Sequence, residues 1–454
     1  MAVKKIEGYL PNDQPPFLRM VVLGFQHVLT MFPATVLVAL LVGFDVGTVL
    51  TVSGVATITA LILSKLIAGK FIPLYYGSSF SYIAATLAIT NAEFGVYAAD
   101  KVAIAQVGIV ATGVINILVG LLIRYGGGRK MIDRFLPPVV TGSVAAVIGI
   151  SLAFAALDMA NAHWGVALIT LFVTVAFSVY LQGKGFFGLI PVLLGAIVGY
   201  LVGAAFGLVD ASGIATASWL VTPKFTLPAF SSPQAWEAIA AIAIIAIATI
   251  PESTAHLYQI SLYVDNLAEN MGREKYELRE LIGLNLVLDG IGDMINGMFG
   301  GVAGTNYGEN NSLMVITRNY SGPSLMAAGV LAILLGFIGK LAALVNTIPL
   351  AVTGGLAIYL FGIIGMQGVA LMQAEKVNLY DPRQLAMGAT ILIVGIGGHI
   401  GYGGNLPIPI MQGIFPNGLP AIATAAVLGI LMNLVFMIFK APEEVVLEMT
   451  ELED

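Results

Sequence analysis

The sequence predicts an all-α polytopic membrane protein of fourteen transmembrane segments. These form a 7+7 inverted repeat, with short antiparallel β-strands in segments 3 and 10. Three observations lead there: the composition, the distribution of lysine and arginine, and two internal echoes. Of 454 residues, 58% are hydrophobic and 10% charged, with a mean hydropathy of +0.93. A soluble globular chain carries about a quarter charged residues. The net charge of -6 argues against nucleic acid as a partner. With no cysteine, neither a disulfide framework nor a thiolate metal site can form.

A window of about 20 residues, the length needed to cross hydrocarbon, places crossings at 18–43, 47–68, 77–91, 102–124, 137–157, 164–182 and 186–208 in the first half. The second half reads 236–258, 281–303, 305–316, 321–345, 349–374, 384–404 and 416–440. The first 17 residues are polar and read as a cytoplasmic tail, without the short apolar region and cleavage site of a leader peptide. Cytoplasmic loops should hold the excess of Lys and Arg. With the N-terminus inside, the inner side collects Lys4, Lys5, Arg19, Lys65, Lys70, Arg124, Arg129, Lys130, Arg134, Lys184, Arg273, Lys275, Arg279, Arg318, Lys376, Arg383 and Lys440. The outer side holds Lys101, Lys224 and Lys340. This bias survives only if both short segments, 77–91 and 305–316, really cross.

Those two segments are alike. "YYGSSFSYIAAT" from Tyr75 and "TNYGENNSLMVIT" from Thr305 share a Tyr-Gly step followed by small polar residues. Two crossings later, "PPVVTGS" at Pro137 answers "PLAVTGG" at Pro349. Seven is odd, so the second half enters the membrane from the opposite side, the inverted repeat of secondary transporters. Non-helical backbone at membrane depth is tolerated only inside protein or facing a cavity. The two Tyr-Gly stretches should therefore pair as short strands, each leading into a half-helix whose free N–H groups face the centre. The other reading makes Gly77 and Gly308 ordinary close-packing glycines in tilted helices.

Charged side chains at bilayer depth are expensive and mark functional candidates. Glu252 and His256, in "PESTAH", stand four residues apart on one helical face. Asp289 and Asp293, in "DGIGD", share that spacing, and Glu309 follows in the short segment. His27 adds a histidine on the first span. Each has a structural alternative: an interhelical partner for His27, an ion pair for Glu252 and His256, a helix bridge for Asp289 and Asp293. Glu309 is the hardest to explain structurally, with only Arg318 as a nearby basic residue. The sequence holds no nucleophile elbow, zinc-protease motif or phosphate loop, so it does not read as an enzyme. Without a nucleotide-binding domain, the driving energy must come from an ion gradient.

"GFQHVLTMFPATVLV", "YYGSSFSYIAA", "PESTAHL", "YGENNSLMVITRNYSG" and "IPLAVTGG" resemble the signature stretches of the nucleobase-ascorbate transporter family, most closely its bacterial uracil permeases. The resemblance covers nearly the whole chain. It implies a core domain, residues 18–135 and 233–346, and a gate domain, residues 136–232 and 347–440. It implies a homodimer in the cell inner membrane with both termini cytoplasmic, protons as the coupling ion and no cofactor or metal. Glu252 and Glu309 match the glutamates that hold the uracil ring; Phe80 and Gly308 match positions offering backbone N–H groups, with Tyr307 beside them. His256 matches the histidine linked to proton coupling, a role that Glu252, His27 and Asp289 could share. The resemblance therefore implies a proton-coupled uracil importer working by an elevator or rocking movement. A purine symporter for xanthine, hypoxanthine or urate is the alternative. Glutamate rather than glutamine at 309 favours uracil. Ser312, Phe361 and Ala357 depart from the permease pattern, where glycine, tyrosine and serine are usual, as does Pro33 in place of a glycine.

Overall fold

A chain this apolar must hydrogen-bond its own backbone wherever lipid replaces water, and helices do so segment by segment. The computed structural model describes residues 8–127, 134–182, 190–411 and 418–439, with residues 130, 184, 187 and 188, and is mostly helical. Lys4, Lys5, Arg129 and Lys440 of the inner basic set lie outside the described residues. So do the first positions of the 416–440 segment and part of 186–208. Among the described residues, eight helices are long and apolar enough to cross a bilayer: Phe17–Val42, Val46–Ala68, Ala99–Gly126, Pro138–Asn161, Ala235–Asn270, Leu350–Ala374, Pro382–Gly401 and Ala421–Ile438. Helices that are shorter or less apolar occupy the other segments: Phe80–Thr90, Trp164–Tyr180, Pro191–Ala205, Ile282–Phe299, Gly308–Thr317 and Gly322–Gly336.

Several boundaries differ from the sequence reading. The helix expected to end at 258 continues to Asn270, because polar helix formers carry it past the apolar window. The 321–345 segment breaks at Phe337 and Ile338, where the 219–221 stretch inserts: Val221 N–H donates to the Phe337 carbonyl (2.9 Å) and Gly339 N–H to that of Trp219 (3.1 Å). The polar N-terminus is no free tail over its described part. Leu10 is fully buried, and Tyr9 pairs with Asn319 as an isolated bridge. Asp13 accepts from Arg273 at 2.7 Å.

Small residues decide which helices meet. Gly54 and Gly329 sit where helix 46–68 crosses helix 322–336; Gly113 and Gly290 sit where 99–126 crosses 282–299. A side chain at any of the four would strike the opposite carbonyl. Membrane helices associate through such close approaches, which gain dispersion contacts that lipid cannot supply. Helix 350–374 packs in turn on 138–151 and 164–180, around Val166, Ala167, Val352 and Leu356. Two helical sets result, one from 17–126 and 235–346, the other from 138–205 and 350–438. The 246–270 helix touches the second set at 138–151 and 421–438.

Candidate functional site

The site is built where two helices are interrupted. Strand β1 (Tyr76–Ser78) pairs antiparallel with β2 (Gly304–Asn306), with Tyr76 opposite Asn306, Gly77 opposite Thr305 and Ser78 opposite Gly304. The pairing extends outward through Ser79 N–H to the Ala303 carbonyl (3.0 Å) and Tyr307 N–H to that of Tyr75 (2.9 Å). The outer edge of β1 is covered as well. Ser53 and Thr57 hydroxyls donate to the Tyr76 carbonyl at 2.7 and 3.1 Å, and Tyr76 N–H donates to Thr57 Oγ1 at 3.1 Å. The main-chain N–H and carbonyl of Tyr76 thus find protein partners, as a membrane interior demands. Glycine at 77 is required by space, because the Tyr307 ring lies directly over it.

Each strand runs into a helix. Ser79 caps the turn Phe80–Tyr82 that opens the 83–90 helix, accepting from Ser81 N–H at 3.3 Å. Tyr307, in extended conformation, precedes the helix Gly308–Thr317. The first amides of a helix have no intrahelical acceptor and carry the positive end of its dipole. Two such ends, at Phe80 and Gly308, lie beside one strand pair.

Glu252 and Glu309 stand next to them. The Ser81 hydroxyl donates to Glu252 Oε2 at 3.2 Å, and Glu309 occupies the first turn of its helix. Both carboxylates and His256 are partly exposed, whereas His27, Asp289 and Asp293 are buried. That contrast separates groups that keep some exposure from groups enclosed by the fold.

His256 lies against Gly308: a Cβ there would stand 2.9 Å from Nε2. Among the described residues its buried Nδ1 has no hydrogen-bond partner, and its carbonyl accepts from Asn311 at 3.2 Å. Among the described residues no ion pair joins His256 to Glu252. His27 meets Asn310 through Nδ1 at 3.0 Å, which ties the first helix to the 308–317 helix. Asp289 accepts from the Ser253 hydroxyl and from Asn306 Nδ2 (3.2 Å), linking two helices to β2. Asp293 accepts from Tyr76, Asn116 and Gly304. The Tyr307 side chain is buried, with its hydroxyl 3.0 Å from Thr35 Oγ1 and its ring stacked on Tyr75. Phe80 faces the second helical set through the edge of Phe361, and Ala357 is buried one turn earlier on the same helix. Ser312 bonds back to the Gly308 carbonyl at 3.1 Å. Beside Ser81 a cavity of about 30 Å³ extends toward Asn405 and Pro420, which belong to a second small strand pair, β3 (Asn405–Leu406) and β4 (Leu419–Pro420).

The structure therefore brings Phe80, Glu252, His256, Gly308 and Glu309 to one place, and leaves His27, Asp289 and the Tyr307 ring behind it. Sequence reasoning missed Ser81, Asn116, Ser253 and Asn310. Their signal was present as polar residues in apolar segments, but only the fold says which carboxylate or imidazole each one meets.

Two paired strands, each running into a short helix beside carboxylates, in a chain with eight membrane-length helices, belong to a multi-pass membrane protein, and its relatives are permeases. The family model described as the permease family matches residues 18–402, and the chain belongs to that family, the nucleobase-ascorbate transporters. It is 36% identical over 436 residues to the uracil permease of Bacillus caldolyticus, covering 93% of each chain. It is 34% identical to the uracil permease of Escherichia coli K12 over 452 residues, covering 96% of each, and likewise 34% identical to that of Bacillus subtilis strain 168 over 450 residues, covering 96% of each. These relatives are permeases and not enzymes. Two solved structures share the fold at low identity. The transmembrane domain of the cyanobacterial bicarbonate transporter BicA has a TM-score of 0.58 at 16% identity, covering 93% of this chain and 99% of that one. SLC26A9 has a TM-score of 0.63 at 11% identity, covering 94% of this chain and 66% of that one.

Proposed function

We propose that the chain is a proton-coupled uracil importer, a secondary active symporter of the cell inner membrane. One observation carries this reading: two partly exposed carboxylates, Glu252 and Glu309, stand beside two helix starts at Phe80 and Gly308. Uracil presents ring N–H donors and carbonyl acceptors along one edge. Carboxylates accept from the first, and free backbone amides donate to the second. Tyr307 contributes main chain at the start of its helix. The names of the relatives, uracil permeases at 34–36% identity, support the same base.

Alternating access follows from the architecture as we read it. Fourteen crossings form a 7+7 inverted repeat, and the glycine contacts support it: the second crossing, helix 46–68, meets the eleventh, helix 322–336, at Gly54 and Gly329, as the ninth, helix 282–299, meets the fourth, helix 99–126, at Gly290 and Gly113. The repeat exchanges those two contacts. Residues 18–135 and 233–346 form the core and 136–232 and 347–440 the gate, moving against each other as an elevator or by rocking. The protein works as a homodimer with cytoplasmic termini. His256 carries the coupling proton, with Glu252 as its substrate-side partner and His27 and Asp289 as supporting groups, and no cofactor takes part. The deciding test is competition of radiolabelled uracil uptake by uracil, xanthine, hypoxanthine and urate. Uracil alone should compete, whereas displacement by a purine at equal concentration would move the assignment to the purine symporters.

A further inference from the structure

We infer that Asp293 is a positioning residue whose carboxylate clamps the two crossing strands and thereby aims the helix starts at Phe80 and Gly308. Asp293 is fully buried on the 282–299 helix. Its Oδ1 accepts from the Tyr76 hydroxyl at 2.5 Å and from the Gly304 amide at 2.9 Å, and its Oδ2 accepts from Asn116 Nδ2 at 2.9 Å. One carboxylate thus holds the first residue of β1, the first residue of β2 and the helix 99–126.

Space around the Tyr76 ring is shaped for this reach. A side chain at Gly292 or at Gly304 would run into that ring. Main-chain bonds from Tyr76 to Ser53 and Thr57 fix its other end to the 46–68 helix. From Ser78 it is two residues to Phe80, and from Gly304 four to Gly308, so an error in the crossing is passed to both helix starts. Among the described residues no cation touches Asp293. Its place among neutral donors is that of an acceptor holding geometry, and it is separated from the partly exposed Glu252 and Glu309.

The functional half of this inference rests on the transport reading above, so the test pairs a substrate-free measurement with a substrate one. In the purified full chain, hydrogen exchange is followed in peptides spanning 74–79 and 302–307, and radiolabelled uracil binding is measured alongside. Asp293→Ala removes all three bonds and should raise strand exchange and the uracil Kd by about tenfold or more, since orphaned buried donors are costly. Asp293→Asn keeps an acceptor for Tyr76 and Gly304 while the Asn116 amide turns to accept, so both readouts should return to within about threefold of the parent. Tyr76→Phe, which loses one donor, should shift both in the same direction by less and serves where the alanine variant does not fold. Parent-like strand exchange in Asp293→Ala, or in Tyr76→Phe where that variant stands in, would overturn the clamp. So would Asp293→Asn whose strands exchange as fast as those of Asp293→Ala, since the asparagine keeps an acceptor for Tyr76 and Gly304. If the parent binds no nucleobase while the exchange differences hold, the transport reading fails and the clamp stands.

Discussion

The rings of Phe80 and Phe361 meet edge to face, with centroids 5.4 Å apart and planes inclined at 75°. Phe80 opens the half-helix after the first strand, and Phe361 lies on the helix 350–374 of the other helical set. Aromatic pairs of this geometry contribute about 0.5–1.5 kcal/mol beyond their buried area. As the contact spans two sets that we read as moving bodies, Phe361→Ala should weaken closure over the base. The KM for uracil should rise by about tenfold, and purine uptake should gain relative to uracil as the ring's volume is vacated. Phe361→Tyr should keep the ring contact and the parent's preference. A panel of initial uptake rates checks this, and an unchanged KM and base preference in the alanine variant would sink it.

Much of this site was legible in the sequence because its chemistry is unusual for its surroundings. Glu309 in an apolar stretch and two matching Tyr-Gly steps announced the crossing strands, since both violate the ordinary pattern of a membrane helix. What stayed hidden was pairwise geometry. Nothing in the spacing of Glu252 and His256 tells that the first takes Ser81 while the second lies on Gly308. Nor does periodicity reveal the break at Ile338, where the partner strand segment comes from more than a hundred residues earlier. Leu10 was lost in a polar tail because a single apolar residue carries no periodic signal.

Replacing either site glutamate by glutamine keeps its size but turns one acceptor into a donor. Glu252→Gln and Glu309→Gln should each weaken uracil binding by about 1.5–3 kcal/mol, the worth of a charge-assisted hydrogen bond. Ser81→Ala, which removes only the hydroxyl that donates to Glu252, should cost less than either. Equilibrium binding to purified protein orders the three. A serine variant as damaging as Glu252→Gln would place the critical contact on the hydroxyl instead.

Stability should depend sharply on which glycine is changed. Gly77→Ala drives a methyl group into the Tyr307 ring at the strand crossing, and overpacking of this kind costs about 1–3 kcal/mol. Gly213→Ala meets nothing within 4 Å in an exposed helical turn and should be neutral or slightly stabilising by helix propensity. Thermal unfolding of the detergent-purified variants compares them. Equal Tm values for Gly77→Ala and the parent would mean that the strands separate freely at that point.

His256 is the test of coupling. A coupling group must take up and release a proton during the transport cycle, and an imidazole is a side chain able to do so. Its ring lies against Gly308, whose amide begins the helix that carries Glu309, and among the described residues its Nδ1 has no hydrogen-bond partner. On the proposed coupling role, a proton held there would add positive charge beside the glutamate-bearing helix start and strengthen its hold on the base. Losing that proton on the inner side would relax the hold. Binding and proton occupancy are then linked, and linkage of this kind is reciprocal. His256→Ala should therefore abolish uracil accumulation driven by an imposed proton gradient in proteoliposomes while leaving uracil exchange measurable. His27→Ala should lower protein stability more than coupling, because His27 is buried against Asn310. If the His256 variant still concentrates uracil as the parent does, the proton is carried by Glu252, Asp289 or Glu309, and His256 only packs the strand crossing.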